Sequence, residues 1–366
     1  MINLKRILAA STILLCGYAN AYTTTGCFWH DVKWSGSSKT LYAYTGSFPS
    51  GSSERSALNE AVTRLNQNTS NFSFNVVYTS TPPSLSNGRS EIWLANISPP
   101  GIAYSWWNIW CNKTESDVIL DTSVNWSTSI NKTTQSNYGG SGRPFQTTML
   151  HELGHALGLG HEADEYNIMG SDPTHRQTNG SWARAYFGED ANDGAMALYG
   201  SDGRRDVGVS HWRRTGANGE YSSHGRTRMF DSATGSELTK DIVNGEPVYR
   251  VFRGQQVRVE LTYENNGSNN IYEDVGFYLS TNSTISTGDQ LIGNTTLSMS
   301  PDNVVTTWHT VTIPSSLQCN TNYWVGAVID RNNSLSEYAE WNNASYISVK
   351  TNFDWGCLTV PLLTLN

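Results

Sequence analysis

Apolar and polar residues recur along this chain with two different periods, and the change of period divides it in two. From Ser53 to Asn66, SERSALNEAVTRLN places Leu58, Ala61, Val62 and Leu65 at the three, four and seven spacings of one helix face, with Ser52 or Ser53 able to cap its start. Short apolar runs between turn residues follow: FSFNVVYTS, SEIWLANI, GIAYSWWNIW and SDVILDTSV, each with the length and composition of a strand. The helical period returns in FQTTMLHELGHALGLG and in EDANDGAMALYG, which ends at Gly200 as helices commonly do. A helix, several strands and two further helices predict an α+β domain of roughly 180 residues.

After Gly200 the helical period disappears. DVGVSHW, PVYRVFR, QVRVELTYE, EDVGFYLS, VVTTWHTVTI, NYWVGAVID and ASYISVKT recur with Gly, Asn, Ser and Pro between them, the pattern of an all-β sandwich of about seven strands. SDGRRD, Ser201 to Asp206, is the expected junction. No tandem repeat or long low-complexity linker separates the halves, so they are expected to sit close together.

The first residues change the setting in which these domains are read. In MINLKRILAASTILLCGYANAYTTTG, Lys5 and Arg6 precede an apolar run from Ile7 to Leu15, and Ala19 and Ala21 have the spacing of a cleavage site. This predicts a secretory signal peptide over 1–21, a mature chain from Tyr22 and an extracellular location. The rival, a lipid anchor on Cys16, is disfavoured by Leu15, where a lipoprotein signal has a small residue. The run is short for a membrane span, and no later segment approaches the ~20 apolar residues one requires. The expected organisation is an α+β domain over 22–200, a linker over 201–206 and a β domain over 207–366.

Export also changes the meaning of the cysteines. Of five, loss of Cys16 leaves Cys27, Cys111, Cys319 and Cys357, and four cysteines allow three pairings. With two domains, the economical choice is Cys27 with Cys111 and Cys319 with Cys357, one staple in each. The 24 basic and 32 acidic residues give a net charge of −8 with no Lys/Arg cluster, which argues against a nucleic-acid partner and suits solubility outside the cell. A monomer is expected.

Only eight histidines occur, yet three fall within HELGHALGLGH, His151 to His161. On a helix, residues four apart share a face, so His151 and His155 can aim two imidazoles at one point. Gly158 permits a left-handed turn that redirects the chain and brings His161 in as a third ligand. Three neutral nitrogens suit Zn²⁺ with the fourth position left to water. Glu152 lies around the helix from the histidine stripe, where it can serve as the base for that water. The chemistry implied is peptide hydrolysis without a covalent intermediate. At this chain's composition an accidental match to the pattern is on the order of one in a hundred thousand.

These residues resemble the metzincin metallopeptidases, whose zinc signature HExxHxxGxxH they match. Tyr166-Asn167-Ile168-Met169-Gly170 stands where that family has its Met-turn. The interval from His161 to Met169, the segment EDANDGAMALYG and the segment SDVILDTSVNW are similar to the matrixin branch, whereas Glu162 after His161 is similar to the astacins. The resemblance covers about residues 90–200. It implies a mixed sheet with three helices, zinc on His151, His155 and His161, Glu152 as the catalytic base and Met169 as the apolar floor. It also implies a substrate-binding edge strand, for which Ile102, Ala103 and Tyr104 are candidates in competition with WLAN. Ser171 stands where some metzincins carry a metal-binding tyrosine, so a three-histidine site is expected. Residues 170–188 should wall the pocket for the side chain after the cut bond.

Gln256 to Gly293 and Asn322 to Asn343 resemble the Ig-like CARDB domains, which implies attachment or substrate presentation. Side chains near Glu337, Glu340 and Asn343 could hold Ca²⁺, the other reading being a hydrogen-bonded turn. Together these features predict a secreted zinc endopeptidase acting on protein or peptide substrates, with extracellular matrix, glycoproteins and nutrient protein all open. The alternative is a secreted adhesin or binding protein on an inactive, zinc-stabilised metzincin scaffold. The intact Glu152 argues against it, because a scaffold needs no base beside the metal.

Overall fold

A computed structural model describes residues 22–27, 30–162, 166–170, 174–215, 224–301 and 303–352. The expected signal peptide, Ser171 and Cys357 lie outside the described residues, and with Cys357 the pairing proposed for Cys319.

The molecule is mixed α+β. Strand β1, Ser38–Tyr44, leads to helix α1, Ser53–Leu65, where the Ser52 hydroxyl accepts the Arg55 amide at 3.1 Å as an N-cap. Strands β2 (Ser73–Thr79), β3 (Glu91–Ala95), β4 (Gly101–Trp107) and β5 (Lys113–Asp121) complete a five-stranded sheet in the order β2-β1-β3-β5-β4. All neighbours are parallel except β4, which runs antiparallel to β5 at the edge. The sequence pattern missed β1, because only Leu41 and Ala43 of SKTLYAY are fully buried and the strand is defined by pairing on both sides.

Helix α2, Phe145–Leu157, packs against α1. Next come a hairpin of β6 (Arg176–Asn179) and β7 (Trp182–Ala185) and then helix α3, Glu189–Tyr199. Leu58 and Leu65 of α1, Leu150 and Leu153 of α2, and Ala195 of α3 close one core with Leu41, Ile92 and Leu120 of the sheet.

The second half is β8 (Val207–Ser210), β9 (Met229–Asp231), β10 (Lys240–Val243), β11 (Glu246–Val251), β12 (Gln256–Asn265), β13 (Ile271–Ser280), β14 (Gln290–Met299), β15 (Asn303–Thr312), β16 (Asn322–Ile329) and β17 (Ala344–Thr351). One sheet has the order β10-β11-β17-β16-β13-β14. In the other, β12 carries β8 and β9 along one edge and β15 along the other. Val259 and Leu261 of β12 meet Phe277, Val325 and Ile347 across the space between the sheets. All seven strands read from the pattern form. Of the three that were missed, β10 is exposed throughout and β14 has only Met299 buried, which leaves no regular apolar face for a period to reveal.

The halves dock closely. Thr69 donates to the Asn266 carbonyl at 2.8 Å, the Asn179 side chain exchanges two bonds with the backbone of Ile285, and Trp212 joins Tyr138, Tyr166, Ala183 and Tyr186 in a shared cluster. Among the described residues no helix is long and apolar enough to cross a membrane.

Cys27 and Cys111 form a disulfide, with Cα atoms 5.7 Å apart and 84 residues of separation. Loop-closure entropy over that length makes it worth about 4 kcal/mol. The double substitution Cys27→Ser, Cys111→Ser is therefore expected to lower the urea midpoint and to steepen the slope, because the unlinked unfolded chain exposes more surface. An unchanged midpoint would show that the first half folds without the staple.

Candidate metal centre and cleft

Helix α2 turns Met149, Leu150, Leu153, Ala156 and Leu157 into the core, which leaves His151 and His155 together on another face. The helix ends at Gly158, whose φ of 132° is open only to glycine without strain. Its last carbonyls have no partners further along the helix, and other elements supply them. Lys113 Nζ of β5 donates to the carbonyls of His155 at 2.8 Å and Ala156 at 2.9 Å. Trp34 Nε1 also donates to Ala156 at 2.9 Å, and the Tyr199 hydroxyl of α3 donates to Leu157 at 2.6 Å. Burial pushes the Lys113 ammonium down to about 7.

The chain returning past Gly158 is held by the N-terminal segment. Thr25 N donates to the Gly158 carbonyl at 2.9 Å, Gly160 N to Thr23 O at 2.8 Å, and Thr23 Oγ1 to the His161 carbonyl at 2.7 Å. Two residues on, the disulfide ties Cys27 to Cys111 at the foot of β5. Sequence reasoning named neither Thr23 nor Lys113, because nothing local marks a threonine or lysine as the support of a histidine far along the chain.

The structure brings His151, His155 and His161 together with their Nε2 atoms 2.9–3.2 Å apart. His151 Nδ1 lies 2.7 Å from the Ile168 carbonyl and His155 Nδ1 2.9 Å from the Leu159 carbonyl. A carbonyl only accepts, so each Nδ1 carries the proton and each Nε2 presents a lone pair inward. Burial holds His151 down to about 4 and His155 well below the ordinary imidazole value, so both stay neutral. Converging lone pairs repel unless a cation accepts them. A tetrahedral zinc with Zn–N near 2.05 Å places its nitrogens about 3.3 Å apart, close to the spacing here. The donor set fits Zn²⁺.

Met169 is buried against α2, where a side chain added at Gly154, the residue before His155, would run into its sulfur. The 166–170 turn thus supplies the Ile168 carbonyl that aims His151 and the Met169 side chain that packs on α2.

Glu152 is 6% exposed and lines a cleft with His155 and His161, together with Gly101, Ile102, Ala103, Ser105 and Trp107 of β4. β4 is an outermost strand, whereas β3, which holds Trp93, Leu94 and Ala95 of WLAN, lies between β1 and β5. Ile102 and Ala103 both line the cleft. Tyr104 does not, and its ring lies 6.3 Å from that of Trp106. On the other side of Glu152, Pro99, Pro100, Gly101, Arg143, Thr148 and His151 line a second hollow. Arg143 and Thr148 were not anticipated, since they precede the histidine motif. The expectation for residues 170–188 differs in its described part: the β6–β7 hairpin faces the second half, with Gln177 Nε2 donating to the carbonyls of Val209 at 3.0 Å and Asn342 at 3.2 Å. Near the residues considered for calcium, Asn343 Nδ2 donates to Glu337 at 2.6 Å and to Glu340 at 3.4 Å.

Residues 101–200 match the family model for the matrixins, Peptidase M10, which supports a metallopeptidase. Comparison with curated proteins gives no match. Among solved structures the chain is similar to the crystal structure of a CARDB domain of a Pyrococcus furiosus protein in complex with di-metal ions. The identity is 16%, over 40% of this chain and 89% of that one, with a TM-score of 0.25. It is also similar to a solution structure of a CARDB domain from Pyrococcus furiosus at 21% identity, over 29% and 87% of the two chains, with a TM-score of 0.23.

Gly154→Ala in a helix would ordinarily add about 1 kcal/mol. Here the methyl displaces Met169, so a net loss of about 1–3 kcal/mol and roughly tenfold weaker zinc binding are expected. A gain in stability, measured by urea unfolding, would mean that Met169 does not pack under the helix. The metal-free chain is also expected to weaken on acidification. His151 and His155 bind fewer protons folded than unfolded between their lowered values and the ordinary ~6.5, so stability rises with pH through that window and is lost from about pH 6.5 down to 4. Urea titrations flat across this range would indicate rings that are solvated in the folded chain.

Proposed function

We propose that this chain is a secreted zinc endopeptidase, with a metzincin-like catalytic module over 22–200 joined through 201–206 to an Ig-like, CARDB-like module over 207–366. The observation that carries the reading is the meeting of three inward-facing imidazoles with Glu152 in a cleft walled by the outermost strand β4. The matrixin match over 101–200 supports it, and the Cys27–Cys111 disulfide suits an oxidising, extracellular compartment.

An extended segment of a protein substrate adds antiparallel to β4, with backbone bonds along Ile102 and Ala103 carrying the scissile amide to the cleft floor. His151, His155 and His161 would hold zinc, which would supply a Lewis acid and lower the pKa of a water toward ~7. Glu152 takes the proton of the attacking water and returns it to the leaving amine. The bonds from Nδ1 to Ile168 and Leu159 keep two of the imidazoles aimed while charge shifts at the site. Water is the nucleophile, so no acyl bond to the chain forms.

The test is cleavage of a mixed peptide library by the purified mature chain with zinc content determined. Wild type is expected to carry about one zinc and to cut. Glu152→Gln is expected to keep the zinc while kcat/KM falls about 10²–10⁴-fold, and chelation abolishes cutting. A folded, zinc-loaded wild type that cuts nothing sinks the general peptidase and favours a binding protein on a zinc scaffold. Activity retained by Glu152→Gln removes Glu152 from the mechanism.

A further inference from the structure

Around Asp206, at the junction between the two halves, several buried side-chain oxygens have no hydrogen-bond donor. Asp206, just before β8, is 6% exposed and takes the Asn266 amide nitrogen at 2.7 Å, the Asn342 amide nitrogen at 3.2 Å and the Ala339 backbone N–H at 3.1 Å. Glu337, paired by a bridge to neighbouring Arg205, takes the Asn343 amide nitrogen at 2.6 Å. The other end of each of these groups is unused. The side-chain oxygens of Asn266, Asn342 and Asn343, residues 1%, 1% and 7% exposed, and Oε1 of Glu337 are buried without a donor.

All four orphaned atoms are acceptors, and they belong to Glu337 and to three amides whose nitrogens bond Asp206 or Glu337. Burial is the largest influence on Asp206, raised to about 7, and on Glu337, raised to about 9. Asp206 is the next largest on Glu337, and no cationic side chain is among the main influences on either. Buried acceptors without donors are costly, and paired carboxylates without a cation more so. One divalent ion relieves both. The amides of Asn266, Asn342 and Asn343 have nearly the same shape after a half turn, so each can exchange a nitrogen that faces a carboxylate for an oxygen that faces an ion.

We propose that Asp206, Asn266, Glu337, Asn342 and Asn343 form a calcium site that fixes the junction of the two modules. The donors are all oxygen, which selects a hard cation over zinc. Two carboxylates neutralise the charge of Ca²⁺, and three amide oxygens with the second carboxylate oxygens or water reach its usual six to eight ligands. Magnesium, with its strict octahedron and reluctance to dehydrate, suits a buried mixed set less well. The position has a consequence for the first module. Asn266, whose side chain is a ligand, accepts Thr69 through its carbonyl, and Asn342 accepts Gln177 through its own. An ion here ties both inter-module contacts to one point. The site is independent of the peptidase reading and stands or falls without it.

The experiment uses the full mature chain, zinc-loaded, in calcium-free buffer that keeps zinc present, followed by calcium titration with thermal unfolding and calorimetry. Calcium at 100 times its Kd is expected to raise Tm by about 5 °C or more. Glu337→Gln, which keeps the Asn343 contact available, and Asp206→Asn are each expected to weaken that binding at least tenfold while zinc content stays the same. If Asp206→Asn does not fold, Glu337→Gln decides alone. No shift with calcium up to millimolar concentrations overturns the proposal, and so does an equal shift in wild type and Glu337→Gln, which places calcium elsewhere. A shift produced equally by magnesium overturns the calcium assignment.

Discussion

The end of helix α2 is the constraint on which the candidate centre depends. A helix that stops inside a protein leaves its last carbonyls without partners, and here they must be met by Lys113, Trp34 and Tyr199 from three other elements. Because these donors sit on β5, on the segment before β1 and on α3, the helix terminus is fixed to both the sheet and the closing helix. His155 lies in that last turn, and His161 follows directly after it. The spacing of the imidazoles is therefore a property of the whole first module, and Lys113 is kept deep in the protein where a lysine is otherwise disfavoured.

The same dependence explains the N-terminal segment. Thr23 and Thr25 run alongside Gly158–His161 and hold the returning chain, while the Cys27–Cys111 disulfide anchors that segment to the hairpin between β4 and β5. One covalent bond thus connects the support of the third histidine to the edge strand that walls the cleft. The β6–β7 hairpin lies on the opposite side of the functional division. Its buried polar residues, Gln177 and Asn179, bond backbone groups of the second module, so this hairpin is committed to docking that module.

Local pattern made α1, α2, α3 and the well-buried strands legible, since each carries one apolar face of regular period. It also marked His151, His155, His161 and Glu152, whose chemistry depends on spacings of one, four and ten residues along a helix and its turn. Strands β1, β10 and β14 were illegible for a common reason: their positions follow from hydrogen bonding to neighbours, and their side chains carry too little burial to set a period. Tyr104 shows a finer limit. The sequence placed it on the edge strand with Ile102 and Ala103, but which residues of that strand face the cleft depends on how β4 pairs with β5.

What the sequence determined by itself was the donor set, because ligand identity and short spacing are local and a helix converts them directly into direction. What only the tertiary structure decided was everything that holds those donors in place: Lys113, Trp34, Tyr199, Thr23 and the Ile168 carbonyl. These groups are brought in from distances of up to 138 residues along the chain, and no local period records a partner that far away. The cleft was decided in the same way, since an edge exists only once the order of strands in the sheet is set.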